Sequence, residues 1–179
     1  MLRQPLCLLA AVFILLPGAV AASDYAHTLQ VKNMDIHWSI DGDKIHVKLS
    51  AKTTGWVAIG FDPEKAMQGA DIIIGAVKKG KVRIEDHYGD RKRAHSKDKK
   101  LGGENNVMDP KGMEEDGITT ISFTRALDTG DKWDKPIDPS KLSRIMIAYG
   151  SGRDSFKAGH AYRGVYDVNF TTGETTKIK

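Results

Sequence analysis

Apolar residues in this chain recur at every second position over short stretches, and that spacing confines it to β-structure. Ile45, Val47 and Leu49 alternate with His46, Lys48 and Ser50, so one face of an extended segment is apolar and the other polar. Residues 35–40 precede it across Asp41-Gly42-Asp43, a hairpin turn signal. Residues 55–61 and 72–77 carry only apolar side chains and glycine, as strands covered on both faces do. Lys79-Gly80 then turns the chain into residues 81–86, where Val82 and Ile84 alternate with charges. Residues 118–124, 144–149 and 165–170 are further strand candidates, and long amphipathic helix patterns are absent. Short strands separated by Gly and Asp turns predict an all-β, antiparallel β-sandwich. One short helix is expected over 62–69, capped by Asp62, with Pro63 at its first position and Gly69 at its end. Residues 87–117 and 128–140 are long and polar, and read as loops that are functional or hold small elements of their own.

The first residues have a different character. Arg3 precedes an unbroken apolar run over 6–16, Pro17 and Gly18 end it, and Ala19-Val20-Ala21-Ala22 follows. This is the layout of a secretory leader, and the run is shorter than the roughly 20 residues of a membrane span. Residues 1–22 are therefore expected to be a signal peptide, 23–179 a single domain, and the protein periplasmic or secreted. No other segment is long enough to cross a bilayer. The single cysteine, Cys7, lies inside the leader, so the mature chain depends on its core or on a bound ligand rather than on disulfides. The net charge of +4 is mild. The basic run over 91–100 has no interleaved aromatic residue for stacking on bases, so nucleic acid is not an expected partner and the run reads as a solvated loop.

Two residues stand in specific frames: Met67 in Met67-Gln68-Gly69-Ala70-Asp71, after Gly55-Trp56-Val57-Ala58-Ile59-Gly60-Phe61, and His160 in His160-Ala161-Tyr162-Arg163-Gly164. These frames, with Asp86-His87-Tyr88-Gly89, Phe123-Thr124-Arg125-Ala126-Leu127 and Thr129-Gly130-Asp131-Lys132-Trp133-Asp134, resemble the DOMON family over about residues 34–168. The resemblance implies an immunoglobulin-like β-sandwich that binds either haem b or a sugar. In the haem-binding branch it implies an axial methionine at Met67 and an axial histidine at His160. A thioether and an imidazole hold haem iron from opposite faces, and this pairing raises the potential. The mature chain has no Cys-x-x-Cys-His, so the haem is expected to be non-covalent. Charged and flexible neighbours (Arg153, Asp154, Lys157, Gly159) place His160 on a loop before the last strand, and Arg163 is a candidate partner for a haem propionate. Trp56, Phe61, Ile72 and Ile74 are candidate pocket walls, although alternation lets only some of them face one pocket.

Other residues compete for these roles. Met108, Met113, His87 and His95 are alternative iron ligands. Asp128, Asp131, Asp134 and Asp138 lack the spacing of an EF-hand loop and read as turn-capping acids around Gly130. His37 and His46 are expected on solvent faces of adjacent strands. The expected function is an exported b-type cytochrome that relays single electrons to a redox partner protein, free or membrane-bound, and not an enzyme. The alternative is a carbohydrate-binding or accessory module of the same fold without haem, with Trp133 or Tyr162 as stacking platforms.

Overall fold

The computed structural model describes residues 25–179; the expected leader lies outside the described residues. Alternation of the kind found in residues 45–50 gives a strand one wet and one dry face, so two such sheets must pack face to face. The first sheet contains β1 (His27–Val31), β2 (Met34–Asp41), β3 (Lys44–Ala51), β8 (Met108–Glu115) and β9 (Ile118–Ala126), in the order β1-β2-β3-β9-β8. The second contains β4 (Val57–Phe61), β5 (Asp71–Lys78), β6 (Lys81–Arg91), β7 (Ala94–Lys97), β10 (Leu142–Gly150), β11 (His160–Asn169) and β12 (Thr175–Lys177). Its order is β12-β11-β10-β4-β5-β6-β7. Every pairing is antiparallel. The expected antiparallel β-sandwich is the observed fold.

The core lies between the sheets. Ile36, Trp38, Val47, Leu49, Ile121 and Phe123 from the first meet Val57, Ile59, Phe61, Ile73, Ile145 and Ile147 from the second. Trp38 is 1% exposed; its Nε1 donates to the Phe170 carbonyl at 2.9 Å, and its ring meets Phe170 edge-on at 5.9 Å. A buried indole needs a partner for its N–H, and this one ties the end of β11 to the first sheet. The polar faces are paired as well: His46 Nδ1 lies 2.9 Å from Thr124 Oγ1, and Ser50 Oγ lies 2.8 Å from Thr120 Oγ1. His37 bonds to Thr28, away from His46.

Three expectations need correction. Residues 62–69 form no helix. Asp62 adopts φ 44°; its amide donates to the Arg144 carbonyl, and its Oδ1 accepts from the Arg144 amide, so it does not cap a helix. Ala66 is also left-handed, at φ 55°, in a tight reversal where the Lys65 and Gln68 amides each donate to the other's carbonyl. Residues 87–117 hold elements of their own, one of the two readings of so long a polar stretch: β6 continues to Arg91, and β7, a four-residue helix α1 (Asp98–Leu101) and β8 follow. The basic run therefore sits on an edge hairpin, where charge suits a strand with one unpaired side. Finally, the strand expected over 165–170 begins at His160 and is followed by β12, which puts His160 on a strand rather than in a loop.

Replacing Trp38 by alanine should lower stability by about 3–5 kcal/mol, the usual loss for a buried large aromatic. Urea unfolding followed by far-UV circular dichroism checks this; a midpoint shift equivalent to less than about 1 kcal/mol would show that Trp38 does not hold the sheets together.

Candidate functional site

β4 and β5 are buried on both faces. Their inner residues belong to the core, and their outer residues form a second apolar layer with neighbours on β10. This layer comprises Trp56, Ala58, Ala70, Ile72, Ile74, Ala76 and Phe156, with Met67, Met146 and Ala148 packed against it. Glycines let the larger side chains of this face pack down against the sheet. At Gly60 an added Cβ would meet Met146 Cγ at 2.7 Å, and at Gly150 one would meet the Trp56 indole nitrogen at 2.6 Å. Trp56 Nε1 is buried and has no hydrogen-bond partner among the described residues, so a buried donor sits unused at this face.

Most of the sequence-predicted residues gather here. Trp56, Ile72 and Ile74 are members of the layer, and Met67 lies against it from the turn between β4 and β5. Phe61 faces the opposite way, into the main core. Arg163 pairs across strands with Ala148, which puts it on the same outer face, exposed at the border. His160 is also exposed. It pairs with Gly150 across an irregularity in the β10–β11 ladder, beside the glycine that makes room for Trp56. Met67 and His160 thus flank opposite ends of β4, a strand that rises about 3.3 Å per residue.

The alternative ligands separate into two groups. Met108 and Met113 lie on β8 of the other sheet. His87 pairs with Ile72 and borders the apolar layer, with its ring edge-on to Phe156 at 6.0 Å. Its Nδ1 lies 2.8 Å from His95 Nδ1, one nitrogen donating and the other accepting, and its Nε2 lies 3.2 Å from Glu85 Oε2. Phe156 belongs to the 151–159 connection, which crosses the layer. Arg83 anchors that connection by donating to the Asp154 carbonyl at 2.7 Å and lying 3.8 Å over the Phe156 ring. The expected sugar-stacking platforms are not open. Trp133 is half-buried against Tyr88 and donates to the Leu101 carbonyl, and Tyr162 stacks on Tyr149 at 5.5 Å.

A buried acidic cluster was not foreseen. Asp71, Asp86 and Asp134 bring carboxylate oxygens within 4.8 Å of one another, and Asp98 lies beside Asp134. Arg125, 1% exposed, pairs with Asp71 and lies 3.9 Å from Asp134. Burial, then the neighbouring carboxylates, pushes Asp86 up to about 9 and Asp98 up to about 8. Four separate segments supply these acids, and no local spacing announces them. Asp134, read as a turn cap, does accept from Thr129 Oγ1 at 2.6 Å but faces inward.

The model of the DOMON domain matches residues 30–150, and the chain belongs to the DOMON domain family. β11, with His160 and Arg163, lies beyond the matched stretch. The chain is 32% identical over 174 residues to human DBH-like monooxygenase protein 1, covering 92% of this chain and 27% of the relative. It is 31% identical over 147 residues to the mouse protein of that name, covering 79% and 23%. The chain thus spans about a quarter of the length of the curated relatives it matches. The cytochrome b domain of pyranose dehydrogenase from Coprinopsis cinerea shares the fold, at TM-score 0.50 and 13% identity over 75% of this chain and 76% of that one.

Burial, followed by the nearby charges of His95 and Lys97, holds the His87 imidazole down to about 4 against the opposing pull of Glu85. An unfolded histidine titrates near 6.5. Between those values the unfolded chain binds a proton that the folded chain refuses, so stability falls as the pH drops from about 6.5 to 4 and is unaffected above that window. His87→Gln should remove this loss. In urea unfolding, the variant should gain on the unmodified chain by on the order of 2 kcal/mol between pH 7 and pH 4; parallel stability curves would contradict it.

Proposed function

We propose that this chain is an exported b-type cytochrome that relays single electrons through a non-covalent haem seated on the outer face of β4, β5 and β10. The observation that carries the reading is an apolar layer on the outside of the sheet, bordered by a thioether and an imidazole. The residues suit the group: the layer is apolar, and the buried Trp56 N–H waits there without a partner. Haem supplies a one-electron couple whose potential the protein tunes through axial ligand, burial and charge.

In this reading Met67 and His160 would hold the iron as its two protein ligands. Arg163, exposed at the border, would pair with a propionate, the Trp56 N–H would supply a buried donor, and Ile72 and Ile74 would exclude water. Two protein ligands to one iron would leave it no site for oxygen or substrate, so the role is relay rather than catalysis. The electron passes to a separate redox partner protein, free or membrane-bound. Among the described residues no helix is long and apolar enough to cross a membrane. The names of the relatives favour a second reading, an accessory module without haem that accompanies a monooxygenase.

Axial-ligand identity spreads haem potentials over about 0.8 V. Met67→Ala should therefore leave a folded protein whose reconstituted haem has a lower midpoint potential. His160→Ala should lose haem more readily than Met67→Ala, because the imidazole is the stronger ligand and no covalent bond to the ring compensates. Met108→Ala and Met113→Ala should leave the spectrum unchanged. If His87→Ala abolishes the six-coordinate spectrum while His160→Ala leaves it intact, the ligand assignment is wrong. If haem never binds, the accessory reading takes its place.

A further inference from the structure

The acidic cluster stands apart from the haem face, and its geometry is unusual for a purely structural network. Partners take one oxygen of three of the acids and leave the other. Asp71 Oδ2 accepts from Arg125 and from the Lys135 amide at 3.1 Å. Asp86 Oδ2 accepts from the Asn106 amide at 3.0 Å, and Asp134 Oδ2 accepts from Thr129. Oδ1 of Asp71, Asp86 and Asp134 has no partner among the described residues, and neither does either oxygen of Asp98. Asp71 and Asp98 are 0% exposed, so water at the surface does not satisfy them. Asp71 and Asp134 meet one guanidinium, while Asp86 and Asp98 beside them meet none, and such an excess of buried carboxylates calls for a counter-charge at its centre.

We propose that Asp71, Asp86, Asp98 and Asp134 form a binding site for one calcium ion. The donor set is entirely oxygen, which selects hard cations over zinc or copper. Calcium takes six to eight oxygens at about 2.3–2.6 Å and tolerates irregular cages, whereas magnesium demands an octahedron and keeps several waters. A dry cage of four carboxylates matches the first habit. The ligands come from the start of β5, from β6, from α1 and from the 128–140 segment, and Arg125 of β9 completes the ring. A bound ion would staple both sheets to that segment at the end of the sandwich that carries Met67. The proposal is independent of the haem reading, and its test uses the full chain without added haem.

The protein is stripped with EGTA and titrated separately with CaCl2 and MgCl2 by calorimetry and thermal unfolding. One calcium per chain is expected, with a Tm rise of about 5–10 °C at a hundredfold excess over Kd and weaker binding of magnesium. Asp98→Asn and Asp86→Asn should each weaken calcium binding at least tenfold, whereas Asp128→Asn, on the exposed turn, should not change it. Should the first two variants fail to fold, terbium luminescence excited through Trp133 on the unmodified chain, displaced by calcium, decides the matter. No calcium uptake together with no terbium signal overturns the site and leaves the acids sharing protons. Tighter binding of magnesium than of calcium overturns the choice of ion.

Discussion

The paired strands β4 and β5 sit at the centre of their sheet with apolar side chains on both faces, and most of the architecture follows from covering them. A sandwich covers only one face of each sheet. The inner residues Val57, Ile59, Phe61 and Ile73 are satisfied by the first sheet, but Ala58, Ile72, Ile74 and Ala76 point away from it. Leaving that layer wet would forfeit about 25 cal/mol for every Å² of apolar surface. The chain therefore carries Phe156 across it and holds the crossing segment through Arg83. A cover built on one aromatic ring and a surface cation is replaceable in a way that a second sheet is not. That is the physical basis for reading the outer face as a binding surface.

The turn that presents Met67 depends on the same strands and on the acids beneath them. Gly89 of β6 exchanges hydrogen bonds with Gly69 and Ala70, and a side chain at Gly89 would fall 1.6 Å from the Met67 carbonyl oxygen. Four residues beyond Met67, Asp71 opens β5 inside the acidic cluster. The turn is thus clamped between a backbone contact that admits only glycine and a carboxylate held by Arg125. Charge in the cluster and the position of the thioether share one short segment of backbone.

The alternation over residues 45–50 and the apolar runs over 55–61 and 72–77 made the sandwich legible, because a period of two has no other structural meaning. The 62–69 segment misled because Asp, Pro and Gly at those positions carry helix-end chemistry, yet Arg144 from a distant strand supplied the partners that bent Asp62 into a left-handed turn. His160 looked like a loop residue because its neighbours are charged or small; its strand pairing is set by β10, which sequence cannot show. Met67, Trp56, Ile72 and Ile74 could be grouped in advance, whereas Asp71, Asp86, Asp98 and Asp134 meet only through tertiary contact. Asp134 was the hardest to see, hidden among aspartates that do cap turns.

Haem seated as proposed would lie on the outer face of β4 and β5, and not in the interior. Methyl spectra of the isotope-labelled protein, recorded by NMR before and after addition of one equivalent of haem, test it directly. The account predicts large shifts or broadening of the Ala58, Ala76, Ala148, Ile72 and Ile74 methyls, while those of Ile36, Leu49 and Ile121 on the first sheet keep their positions. Shifts scattered over the surface, or none at all on the outer face, would contradict it.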